Sequence, residues 1–208
     1  MNSILDGISI NFHASIKIVK DNIKIYIDPF KIENNLNDAN YIFITHNHYD
    51  HYSKEDINKV INDNTILIVP ETMKEEVDYN NKIIYVKPDE NYDLNEFSFH
   101  TVASYNINKP YHPKNNNWVG YNILINNVRY YILGDTDAVD EIRKETCDVM
   151  FVPTGGTYTM DYKEAADLVN SMNVKYAVPI HYGIVGSKDN AINFVNLLSE
   201  DIKGEILV

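Results

Sequence analysis

The chain has 208 residues and a formal net charge of −12, from 18 Lys plus Arg against 30 Asp plus Glu. Its length fits one domain, residues 1–208, with a sizeable buried core, and 44% hydrophobic with 23% charged residues excludes disorder as the main state. The acidity argues against a general nucleic-acid binder and against docking on anionic lipid, because both need clustered Lys and Arg.

The predicted elements begin with strands over 8–13, 15–19 and 23–27, alternating as a meander does. A further apolar strand over 41–45 runs directly into Thr45-His46-Asn47-His48-Tyr49-Asp50-His51. Ser53 followed by Asp56 predicts a helix start, with Ile57, Val60 and Ile61 on one face. Strands are expected over 66–69, 83–86, 97–103, 119–125 and 128–133, with Asn126-Asn127 as a two-residue hairpin turn. After a strand over 149–152, Asp161 and Glu164 form a capping pattern for a helix with Ala165, Ala166, Val169 and Met172 inward. A strand over 176–180, a helix capped by Ser187 with Ala191, Phe194, Val195 and Leu198 inward, and a strand over 205–208 complete the chain. Strands then helices, repeated from about residue 97, suggest an α/β fold of two sheets packed together, with helices on the outer faces.

The seven histidines and one cysteine shape the chemistry. A lone Cys147 excludes an internal disulfide and a zinc site of several thiolates, and a reducing cytoplasm is the simplest compartment. Its bland setting before the 149–152 strand marks it as a small buried residue. Residues 1–6 lack the basic-then-apolar pattern of a signal peptide. The longest apolar runs fall far below the roughly 18 residues of a membrane helix.

The segment from His46 to His51 places three histidines and a carboxylate on a strand-to-helix loop. Imidazole nitrogen with carboxylate oxygen suits zinc first, with manganese, iron or nickel as the other candidates. His46 and His48, two apart in extended chain, can share one ion; Asp50 and His51 can turn to a second position. Asp135 follows the 128–133 strand after Gly134, and His181 follows the 176–180 strand. Alone, Asp135 reads as a turn residue and His181 as a loop histidine. If their strands run the same way, all six groups are expected at one rim of the sheets, where open sheets carry ligands. A carboxylate shared between two cations is the natural bridge, which makes Asp135 the candidate for it.

His46-x-His48-x-Asp50-His51, Gly134-Asp135-Thr136 and Pro179-Ile180-His181 together resemble the metallo-β-lactamase-fold hydrolases. Phe12-His13-Ala14-Ser15 at one end and Pro179-Ile180-His181 at the other resemble the branch of ascorbate-6-phosphate lactonase and N-acylphosphatidylethanolamine phospholipase D. The resemblance implies a four-layer αββα sandwich carrying one or two divalent ions. His46, His48 and a third histidine would hold one ion. Asp50, His51 and His181 would hold the other, with Asp135 bridging. The sequence departs from the pattern at 101–106, where no histidine ends the strand; Tyr105 or Asn106 stands there as a pocket candidate, and His112, downstream on a Pro- and Asn-rich loop, can fold back over the ions either as a pocket residue or as a ligand. His100 lies within a strand run and reads as an ordinary sheet residue.

The supporting residues are open to two readings each. His13 is either a pocket residue or a buried structural one. Asp28 is either a plain turn residue or a carboxylate holding a ligand histidine's second N–H. Gly155-Gly156-Thr157-Tyr158 either receives an anion on its backbone N–H groups or makes a tight turn. Trp118, Tyr105, Tyr111 and Tyr158 either wall a pocket or, for Trp118, fill the core. The expected activity is hydrolysis by a metal-activated hydroxide, with Asp50 and His181 in catalytic roles, on a small, anionic or neutral ester, lactone or phosphodiester. The alternative is a metal-binding or regulatory protein of the same fold with little turnover. Self-association is compatible with the composition.

Overall fold

The computed structural model describes residues 3–207. They divide into two units, one ending at Val86 and the other running from Lys87 to Leu207. The first contains β1 (Ile8–Phe12), β2 (Ser15–Lys20), β3 (Ile23–Ile27), β4 (Tyr41–Phe43), α1 (Lys54–Val60), β5 (Ile66–Pro70) and β6 (Lys82–Val86). Its sheet has the order β1-β2-β3-β4-β5-β6, antiparallel as far as β3 and parallel from β3 to β6.

The second unit contains β7 (Asn91–Leu94), β8 (Phe97–Ala103), β9 (Val119–Ile125), β10 (Val128–Ile132), β11 (Val149–Pro153), α2 (Tyr162–Asn170), β12 (Tyr176–Ile180), α3 (Asn190–Val195) and β13 (Lys203–Gly204). Its sheet has the order β13-β12-β11-β10-β9-β8-β7. Strands β10 to β13 are parallel and β7 to β10 antiparallel. Each unit is thus a mixed sheet, and the fold class is α/β as the sequence predicts.

Each sheet is apolar on both faces, which the αββα class requires. In the first, Tyr26, Ile42, Leu67 and Val69 pack with Ile57 and Val60 of α1, while Ile16, Ile18, Ile25, Ile27 and Phe43 are buried on the opposite face. In the second, Val102, Tyr131, Met150, Val152 and Ala177 pack with Ala165, Ala166, Val169 and Phe194 of the helices. Phe99, Tyr121, Ile123, Ile132, Phe151 and Val178 are buried on its other face. Burial of each such side chain stabilises by roughly 1.5–3 kcal/mol. Cys147 lies in the helix-side cluster, and burial pushes its thiol up to about 12.

Most predicted boundaries hold to within two residues. Asn126 and Asn127 both adopt positive φ, 52° and 61°, and close β9 onto β10 with Ile125 opposite Val128. Asp161 and Glu164 form a reciprocal capping box at α2, and Ser53 Oγ caps α1 by accepting from Asp56 N. Gly120 is required where β9 passes β10: a Cβ there would lie 2.7 Å from the Ile132 and Leu133 carbonyl oxygens.

Three expectations are corrected. Ser187 does not cap α3; its Oγ takes the Asp189 N–H one turn earlier, and the helix starts at Asn190. The final strand is Lys203–Gly204, not 205–208, because those two residues find the β12 register; Ile206 is exposed and Val208 lies outside the described residues. β7, which the sequence did not suggest, is a short edge strand of alternating exposure held by pairing with β8.

Asp56 ties the start of α1 to the segment after β3. Its carboxylate accepts from Lys31 N and Ile32 N, both at 2.9 Å, and from Ser53 Oγ at 2.7 Å and Lys59 Nζ at 3.0 Å. Burial pushes the carboxyl up, but these donors outweigh it and hold the group below its ordinary 3.8. A lowered folded value means the stabilisation is complete above that ordinary value and is lost as pH falls through the folded one. Asp56→Asn is therefore expected to lower the urea midpoint at pH 7 and to flatten stability against pH below about 4. Parallel profiles for the two proteins in acid would contradict this.

Candidate metal centre

The parallel strands set the candidate site residues at their C-terminal ends. In the first unit Asp28 follows β3, and the His46 to His51 segment follows the neighbouring β4. Asp28 takes a left-handed conformation, φ 47°, which turns the chain sharply at the sheet edge. Its buried carboxylate accepts from Thr45 N at 2.8 Å, Thr45 Oγ1 at 2.6 Å and His51 Nδ1 at 2.7 Å. Burial pushes the Asp28 carboxyl above its ordinary range, while His51 and Thr45 pull the other way. Asp28 is thus a turn residue whose carboxylate also meets the His51 ring at Nδ1.

These bonds set where the imidazole protons sit. The His51 Nδ1–H is donated to Asp28, so Nε2 is the nitrogen that presents a lone pair. Thr45 gives its hydroxyl proton to Asp28, so at His46 Nδ1, 2.9 Å away, the hydroxyl oxygen accepts; His46 likewise presents Nε2. That Nε2 lies 3.1 Å from His48 Nδ1, and the His46 and His51 rings are 4.0 Å apart at their centroids. The turn comes from His48 O, which accepts from both His51 N and Tyr52 N. Asp50 Oδ2 stands 3.4 Å from His13 Nε2 and 3.8 Å from His51 Nε2. His13 sits on the β1–β2 turn at φ 58°, buried, so the structure places it against Asp50.

In the second unit Asp135 lies past the end of β10 and His181 directly follows β12, with β11 parallel between them. The shared strand direction that the sequence left conditional is thus met. Asp135 Oδ2 is 2.9 Å from His181 Nε2 and 3.3 Å from His112 Nε2. All three residues are buried. His181 has φ 55°, a left-handed turn at the strand end.

The loop between β8 and β9 returns His112 to this carboxylate. Asn106 N donates to His112 O, and Asn106 Oδ1 accepts from His112 N at 3.0 Å. Trp118 packs against the His112 ring, centroids 5.7 Å apart, and is itself buried. Among the other sequence candidates, Tyr105 directs its hydroxyl to Glu141 Oε2 at 2.9 Å and packs on the helix-side cluster. Gly156 N already donates to Met160 O, and Gly155 bridges to Asp161, so this stretch is a turn and that donor is not open to an anion. Thr157 is exposed in the same turn, and Tyr158 is exposed with its carbonyl accepting from Asn106 Nδ2. His100 lies in β8, as expected, 3.4 Å from Glu145 Oε1.

Sequence reasoning assigned no role to Thr45, Asp137 or Lys109. Thr45 was legible in principle, as a hydroxyl beside the first histidine at a strand end. Asp137 and Lys109 were not, since their partners lie far off in sequence.

The donor set fits a divalent metal. It consists of imidazoles and carboxylates, two imidazoles in the first unit have their second nitrogen spoken for by a buried acceptor system, and no thiolate is nearby.

The sequence pattern of the β-lactamase superfamily domain matches residues 8–181. A UPF0173 protein of Pyrococcus abyssi is 31% identical over 181 residues, covering 84% of this chain and 82% of that protein. A UPF0173 metal-dependent hydrolase of Carboxydothermus hydrogenoformans is 26% identical over 184 residues, 82% of this chain and 81% of that one. A solved structure from Parabacteroides distasonis superposes with a TM-score of 0.83 at 25% identity, over 96% of this chain and 91% of that chain. The chain belongs to the metallo-β-lactamase-fold superfamily and, within it, to the UPF0173 family of metal-dependent hydrolases.

Proposed function

We propose that the chain hydrolyses a small ester, lactone or phosphodiester with the help of one or two divalent ions, zinc first among the candidates. The observation that carries this is the placement of imidazoles and carboxylates at the C-terminal ends of parallel strands in each unit. The first unit would supply His46, His48, Asp50 and His51; the second would supply Asp135 and His181. Neither set alone offers six donors, so the single-domain reading of the chain is part of the proposal.

Bound divalent ions supply Lewis acidity and bring the pKa of water toward neutrality. Asp50 would orient the attacking water and take its proton, steadied by His13 at 3.4 Å. Asp28 and Thr45 hold His51 and His46 in the tautomers that present Nε2. His181 and Asp135, facing each other at 2.9 Å, would help to hold an ion, whose positive charge would offset the negative charge that develops on the substrate oxygen. No helix among the described residues is long and apolar enough to cross a membrane, and a small, anionic or neutral substrate fits this site chemistry.

The test is a screen of ester, lactone and phosphodiester substrates with purified protein, with and without chelator and re-added zinc, manganese, iron or nickel. Turnover that chelation abolishes and one of these ions restores is expected. Full activity in the chelated protein, or in His48→Ala, would sink the reading.

A further inference from the structure

We infer that Phe12, Phe30 and Tyr49, with the ammonium of Lys31, form the subsite that receives the body of the substrate, and that they select an aromatic ring bearing a negative charge. The inference deepens the hydrolase reading above and rests on it. All four residues lie in the first unit.

Tyr49 stands between His48 and Asp50 and is 75% exposed. It is not an isolated surface ring. Its centroid lies 6.0 Å from that of Phe30, edge to face at 79°, and Phe30 in turn lies 6.0 Å from Phe12. Phe12 and Phe30 are half-buried, so the three rings make one contiguous apolar patch, the kind of surface that marks a ligand site. Chain neighbours fix where the patch lies. Phe12 precedes His13 and Tyr49 precedes Asp50, and His13 Nε2 stands 3.4 Å from Asp50 Oδ2. Both ends of the patch therefore adjoin the pair that handles the water proton in the hydrolase reading.

The patch is built on anchored backbone. Phe30 N donates to Ser15 Oγ at 3.1 Å, and Asn11 Nδ2 donates to Phe30 O at 2.7 Å and Lys31 O at 3.0 Å. Lys31 N donates to Asp56 Oδ2 at 2.9 Å. These bonds hold Lys31 at φ 51°, a left-handed conformation that a residue with a Cβ keeps only where its surroundings impose it. The Lys31 ammonium then lies 4.1 Å from the Phe12 ring centroid and 5.8 Å from that of Phe30. Lys31 makes no ion pair among the described residues. A cation resting on aromatic faces without its own counter-ion can take one from a ligand whose ring lies on the same faces. Because the backbone is held beforehand, little ordering is left to the binding step.

The test measures dissociation constants by NMR titration of the full chain, as purified and after chelation, with phenylacetate, phenylacetamide and cyclohexylacetate as probes. Phenylacetate is expected to bind roughly 2–5-fold more tightly than the uncharged amide, the size of an exposed ion pair. It should bind about 2–10-fold more tightly than the non-aromatic acid. Lys31→Met keeps the apolar stem and should erase the first gap; Tyr49→Leu should narrow the second. Both side chains are exposed, so neither change should disturb the core. Chelation should leave both gaps in place, because none of the four residues is a candidate ion ligand. Equal affinity for the three probes, or no detectable binding of any, would overturn the inference. So would a charge gap that persists in Lys31→Met, an aromatic gap unchanged in Tyr49→Leu, or gaps that vanish on chelation. None of these results touches chelation-sensitive turnover in the substrate screen. Absence of that turnover, with the probe selectivity intact, would instead overturn the hydrolase reading.

Discussion

Asp135→Ala is expected to reduce metal-dependent turnover by more than about a hundredfold and to weaken ion binding in step. Loss of a group that merely orients a ligand costs 10–100-fold, and a shared ligand costs more. The reason lies in the geometry of the second unit. Asp135 Oδ2 lies 3.3 Å from His112 Nε2 and 2.9 Å from His181 Nε2. Without it, the two imidazoles, at the ends of different segments, lose the carboxylate they share. The fold should survive, because the Asp135 main chain is held independently by Ser104 Oγ. In metal-free protein the substitution also removes a buried carboxylate, so the urea midpoint should change little compared with the loss of activity. Asp135→Asn separates charge from shape: it keeps an acceptor but not the negative charge, and it should bind zinc nearly as poorly as Asp135→Ala. Equilibrium dialysis with zinc and a urea titration of both variants check this. Parent-like zinc affinity in either would remove Asp135 from the bridging role.

Asp28→Ala is expected to cost about 3–5 kcal/mol of stability, the size seen when one partner of a buried pair is removed. Three donors converge on that carboxylate: Thr45 N, Thr45 Oγ1 and His51 Nδ1, and Asp28 is only 1% exposed. Against a total stability of roughly 5–15 kcal/mol, the loss leaves a marginal protein. Asp28→Asn is the more informative variant. Its amide oxygen can still accept from Thr45, which turns its NH2 toward His51 Nδ1. That nitrogen must then be unprotonated, and the ring proton moves to Nε2, the atom that would bind an ion. The expected result is a folded protein with zinc affinity down by roughly 10–100-fold. Thermal unfolding and zinc titration of both variants test it. An Asp28→Asn protein with parent zinc affinity would show that the His51 tautomer does not matter.

Much of the proposed site was legible because it is local. His46, His48, Asp50 and His51 fall within six residues after a strand, and that spacing alone implied metal chemistry. Asp135 and His181 were legible as ligand-type side chains directly after apolar runs. Legibility failed where pairing outweighed local pattern. β7 has no apolar run; it is a strand because β8 offers it an edge. The last strand fell at Lys203–Gly204 because β12 was there to pair with. Tyr105 stood at the place of the expected histidine but turned its hydroxyl to Glu141, 36 residues away.

The sequence by itself determined which donors exist, that they are imidazole and carboxylate without thiolate, and that strands deliver them to a sheet edge. Only the tertiary structure decided which ring nitrogen of His46, His51 and His112 carries the proton. That depends on the group standing opposite: Asp28 for His51, 23 residues apart, Thr45 for His46, and the amide oxygen of Asn106 for His112. The same holds for the parallel strands that bring His181 to Asp135. A proton on an imidazole follows its hydrogen-bond partner, and those partners are chosen by chain topology rather than by spacing along the chain.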